Sequence, residues 1–165
     1  MHRHTLQLIQ PFEDRALDRV RAAVAFLVEP PPDGVKDTIG FDGQYADLMS
    51  DPAVLAAIGS ALALGREAHA ARRAALTLDL YDLGLPESRR SQLIAHASHP
   101  QRPMWLASGV RDRRLALWMY ATCRTLLEDA ARERVFLEDL AEALHIPVRD
   151  VRHLKQRLPL PEPAG

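Results

Sequence analysis

Asp129 and Glu133 have the spacing best suited to chemistry: one helical turn apart, their carboxylates could face a single point at the start of a helix. Two hard oxygens there, joined by backbone carbonyls and water, would suit calcium or magnesium. The same residue types are also what a helix start prefers, since an aspartate accepts orphan amides and a first-turn glutamate complements the dipole. Capping is the commoner use. A second acidic group, Asp33, Asp37, Asp42, Asp47 and Asp51, crowds one segment. Its spacing departs from the alternating D-x-[DN]-x-[DN]-G pattern of a calcium loop, and a solvated, turn-rich loop accounts for it more simply. His96 and His99 stand three apart near a predicted helix end, without a neighbouring cysteine or acid pair to complete a tetrahedral set. Contacts with the last carbonyls of a helix are the plainer role for them.

Covalent and cofactor chemistry has no comparable signal. Ser60, Ser88, Ser91, Ser98 and Ser108 lie outside any G-x-S-x-G turn, and neither G-x-x-x-x-G-K nor G-x-G-x-x-G occurs. The sequence therefore points to a binding protein and away from an enzyme. For a binding surface, Met104 and Trp105 stand out, with Leu106, because they fall between two prolines and a glycine, outside the regular apolar stripes. A tryptophan so placed can remain on the surface as a contact for another protein or a second copy, although capping the core is its commoner fate.

The elements that must position these residues are helical. Apolar content is carried by alanine and leucine, with few aromatic and β-branched residues, which favours helices over sheets. A chain of 165 residues can bury one sizeable core, so the expectation is one all-α domain, a bundle of about six to eight helices. The first clear stripe runs from Ala16 to Val28, with Leu17, Val20, Val24, Leu27 and Val28 on one face, and stops at Pro30, Pro31 and Pro32. Residues 1–15 read as an arm and 30–51 as a long loop. Asp51 is placed to cap a helix beginning at Pro52, which continues through Val54, Leu55, Ile58 and Leu62 with a break near Gly65 and a stop at Gly84. Pro86 opens a shorter helix that ends before Pro100.

From Asp112 to Leu158 three amphipathic helices follow one another with almost no loop. The first places Leu115, Trp118, Met119, Thr122, Cys123 and Leu126 on one face, with Cys123 a small core residue. Asp129 is expected to cap the second, whose stripe is Phe136, Leu137, Leu140, Ala141 and Leu144. Pro147 starts the third, with Val148, Val151, Leu154 and Leu158 inward and residues 159–165 as an extended tail.

Charge is balanced overall but not locally. From Phe12 to Asp51 acids outnumber bases nine to four, whereas the last helix carries Arg149, Arg152, Lys155 and Arg157 against Asp150 alone. That basic helix follows a short HIPV turn, the outline of a helix-turn-helix. Glu133, Glu138, Asp139 and Glu142 on the preceding helix would repel a phosphate backbone, so nucleic acid is disfavoured as a partner. No apolar run reaches the length of a membrane span, and a lone cysteine fits a reducing cytoplasm.

At YATCRTLLEDAARERVFLEDLAEALHIP the chain resembles the TerB-like helical family, named for bacterial tellurite-resistance proteins. The matching positions are Tyr120, Asp129, Glu133, Arg134, Leu137, Leu140, Ala141, Leu144 and Ile146, within residues 107–158. The resemblance implies a helical bundle and a stress-associated setting, and extends to a divalent cation held by acidic residues in an inter-helix link. That link carries two aspartates two positions apart in the family; here the positions are Leu127 and Asp129. The expected function is a binding or adaptor module, with a cation-binding stress protein as the alternative and a DNA-binding protein third.

Overall fold

A computed structural model describes residues 16–28, 51–64 and 86–160. The expected arm, most of the 30–51 loop, the stretch from Gly65 to Gly84 and the end of the tail lie outside them. Among the described residues the fold is all-helical, without strands: α1 (Ala16–Leu27), α2 (Pro52–Leu64), α3 (Glu87–Ser98), α4 (Pro103–Leu106), α5 (Arg113–Leu126), α6 (Ala131–Ala143) and α7 (Val148–Arg157). They share one apolar core.

Two helices form its centre because they are apolar on nearly every side. In α2 every residue from Val54 to Ala61 is buried, and in α5 every residue from Ala116 to Arg124. Around them, α3 and α5 pack on α2, α1 packs on α5, and α7 returns to α1. The small residues of α2 set how closely α3 approaches. A Cβ at Gly59 would stand 2.5 Å from His96 Cβ, 2.8 Å from the Ala97 nitrogen and 2.9 Å from the His96 carbonyl carbon. That crossing is why a residue costing a helix about 1 kcal/mol relative to alanine occupies its interior.

Several polar groups inside this core tie elements together, although the buried Thr122 hydroxyl has no partner among the described residues. Ser60 Oγ donates to the Ala56 carbonyl at 2.8 Å and accepts the Gln101 amide at 2.9 Å, fastening the segment after α3 to α2. Cys123 Sγ donates to the Ala57 carbonyl at 3.6 Å, and burial pushes its thiol up to about 12. Cys123 is accordingly expected to resist a thiol reagent at pH 8 in the native protein and to react fully once denatured, which a colorimetric thiol titration measures. Arg113 joins three helices: Nη1 meets buried Asp150 at 2.6 Å and Nη2 donates to the Leu27 carbonyl at 3.1 Å.

Helix ends follow local chemistry. Asp51 Oδ1 accepts the Ala53 amide at 2.8 Å and Asp112 Oδ1 the Arg114 amide at 2.9 Å, so both cap as aspartates should. The α6–α7 turn is a Schellman motif. The His145 and Ile146 amides donate to Glu142 and Ala141 carbonyls at 3.0 Å, and His145 takes φ 56°.

Two expectations are corrected. Asp129 is not the cap of α6: Ala130 holds that position and offers no side-chain bond. Val148 is not inward but 74% exposed, because the buried line of α7 runs through Asp150, Leu154 and Leu158 at four-residue spacing. The Asp150 carboxylate turns in to meet Arg113, and that rotates the first residue of the helix outward.

Candidate interaction surface

The short helix α4 begins at Pro103, whose fixed φ suits a first helical position. The Trp105 and Leu106 amides both donate to the Arg102 carbonyl, at 2.9 and 3.1 Å, and Ala107 donates to Pro103 at 2.9 Å. Gly109, at φ 84° with open space around it, turns the chain away and prevents a longer helix. One side of so short a helix faces the protein. Leu106 takes it, 2% exposed, where α4 packs on α6 and α2.

Met104 and Trp105 are thereby left outside, 70% and 67% exposed. A cleft of about 520 Å³ lies beside the indole, lined by Pro100, Gln101, Arg102, Trp105 and Ser108. Single exposed apolar residues are ordinary on a protein surface, and Ile94, Val135 and Val148 are of that kind. Phe26 is exposed but engaged. Its ring stacks on His153 with centroids 4.5 Å apart, and the Arg157 guanidinium lies 5.4 Å from it. Met104 and Trp105 differ in being adjacent, large and held on a fixed backbone.

The proposed cation pair is placed differently. Glu133 is buried, and its Oε1 accepts the Glu128 amide at 3.3 Å, while Asp129 is half-exposed and pairs with Arg134 at 3.4 Å. Each carboxylate thus has its own contact. Leu127, at the position where the resembled family carries an aspartate, is fully buried. Among the described residues no three histidine, cysteine, aspartate or glutamate side chains group closely enough to hold a metal ion. His96 is half-buried against Gly59 and His99 is exposed. No described helix is long and apolar enough to cross a membrane.

The sequence does not reveal the buried arginine of α5. Arg124 is only 4% exposed, its Nε and Nη2 donating to the Leu158 carbonyl at 3.0 and 2.9 Å and its Nη1 to Tyr120 Oη at 3.4 Å. The signal was the i, i+4 spacing of Tyr120 and Arg124 on a helix apolar all round, where an arginine has no solvent face to occupy.

The comparisons with curated proteins and with solved structures find no match. A family described as "Protein of unknown function (DUF533)" matches residues 46–158, well over half of the chain, which spans α2 to the end of α7. The chain belongs to the DUF533 family.

Proposed function

We propose that this protein is a non-enzymatic binding module that contacts another protein, or a second copy of itself, through Met104 and Trp105. The observation that carries the reading is the exposure of that adjacent pair, 70% and 67%, on a four-residue helix pinned by buried Leu106. A tryptophan contributes a large apolar area with little rotamer entropy to lose, and methionine adapts to an uneven opposing surface. Such anchors dominate interfaces, each worth about 2 kcal/mol or more when truncated.

As part of the same reading, we infer that the C-terminal helices are TerB-like, with the stress-associated setting that name implies. Support comes from the E-R-x-x-L-x-x-L-A-x-x-L pattern at Glu133–Leu144, whose Leu137, Leu140, Ala141 and Leu144 all lie in the core. Sedimentation velocity over a concentration series tests the self-contact. Trp105→Ala is expected to weaken association about 30-fold or more. Its melting temperature should match the parent, because little of the indole is buried in the fold. An associating parent whose affinity survives Trp105→Ala would remove the role of this surface.

A further inference from the structure

A cleft of about 290 Å³ opens between α5, α6 and α7 and the segment after α7, near the lower limit for small-ligand pockets. Arg124 and Tyr120 line it, with Lys155 at one side and Leu137, Val151 and Leu160 as apolar wall. A guanidinium carries five N–H donors. Arg124 spends three, on the Leu158 carbonyl and Tyr120 Oη, so one N–H on Nη1 and one on Nη2 have no acceptor among the described residues. No carboxylate among the described residues pairs with it, although it is more than nine-tenths buried. Tyr120 Oη accepts from Arg124 and gives its own proton to no described residue.

A buried cation without a counter-charge is costly, and buried donors left unmade add to that cost. An incoming anion would relieve both. Burial raises the Tyr120 pKa, against the lowering effect of Arg124, so the hydroxyl keeps its proton and can donate it. Two carboxylates also line the cleft. Asp129 is paired with Arg134, while the charge of exposed Glu138 reaches Tyr120 and helps keep its hydroxyl protonated. With Asp129 and Arg134 cancelling, Arg124 and Lys155 against Glu138 leave the lining one charge positive.

We propose that this cleft binds a carboxylate carried on a small apolar body, the head held by Arg124, Tyr120 and Lys155 and the body against Leu137, Val151 and Leu160. The remaining Nη1–H and Nη2–H, with the Tyr120 hydroxyl, offer donors to the two oxygens of a carboxylate, and the aliphatic wall suits an alkyl chain. The free acid and the C-terminus of a peptide present the same head. This site is separate from Met104 and Trp105, and its failure would leave that surface untouched.

The test is titration of the ¹⁵N-labelled protein with hexanoate, with hexan-1-ol as the uncharged control, following backbone amides and the Arg124 Nε–H. Saturable shifts at the Arg124 Nε–H and at the amides of Tyr120, Leu137, Val151, Lys155 and Leu160 are expected with hexanoate and not with the alcohol. Lys155→Gln, on an exposed side chain that the fold does not need, should weaken binding about fivefold. Arg124→Gln should abolish it, and Lys155→Gln decides the matter if that variant does not fold. A leucyl dipeptide with a free C-terminus, run against its amide, shows whether the peptide source binds more tightly than the free acid. Equal shifts from acid and alcohol, no saturable shift, or an affinity unchanged by Lys155→Gln would overturn the proposal.

Discussion

Trp118→Ala is expected to destabilise the fold by about 3–5 kcal/mol, a large share of a domain's usual 5–15 kcal/mol. Trp118 is 1% exposed in the middle of α5, with Leu117, Met119 and Ala121 buried beside it. Removing the indole withdraws apolar area and leaves a cavity that two packed helices cannot close, so both the transfer and the cavity costs apply. Urea denaturation followed by circular dichroism measures the change. The same substitution at Trp105 should move the midpoint little, because that indole covers almost none of the core. One chemical change at two tryptophans thus separates a packing role from a surface role, and equal losses at both positions would show that Trp105 is built into the core after all.

Gly59→Val carries the second large effect. Any Cβ at this position meets α3 backbone within 3 Å, and backbone cannot rotate away as a flexible side chain can. A β-branched residue adds two methyl groups to that clash, so α2 and α3 must separate and expose part of the small-residue face. Overpacking of this sort costs roughly 1–3 kcal/mol, occasionally more. Gly59→Ala is the more telling control: helix propensity alone favours it by about 1 kcal/mol. A melting temperature lower than the parent's for Gly59→Ala means the crossing outweighs propensity. An increase would mean that the two helices are not held so closely.

Much of this architecture was legible because it is local. Alanine and leucine at three- and four-residue spacing, prolines at 52, 86 and 147 and a capping Asp51 mark helices that the structure places at Pro52–Leu64, just after Pro86 and just after Pro147. What the sequence hid depends on partners far along the chain. The outward turn of Val148 follows from Asp150 meeting Arg113, 37 residues earlier. The tight α2–α3 crossing needs His96 opposite Gly59. Local preference favours Asp129 as a cap, but its carboxylate turns instead to Arg134 and Ala130 holds the cap position. Arg124 was the largest omission, since a periodicity argument treats arginine as a surface residue and does not foresee a carbonyl 34 positions away receiving it.

The candidate surface was legible for a different reason. Met104 and Trp105 break the apolar rhythm, and the prolines and Gly109 around them leave too few residues for a helix that could turn both inward. Their exposure then follows from Leu106 taking the one inward position. As assemblies, neither the cleft around Arg124 nor the Arg113 junction has such a marker, because each is built from helices that only the fold brings together.

The binding role is tested most directly by placing a photo-crosslinking amino acid at position 105 of the full chain, in cells that produce it, with the same group at exposed Gln156 as control. A discrete adduct from position 105, either a dimer of this chain or one defined partner, and none from 156, is the predicted result. No adduct from position 105 beyond that from 156 would contradict the account.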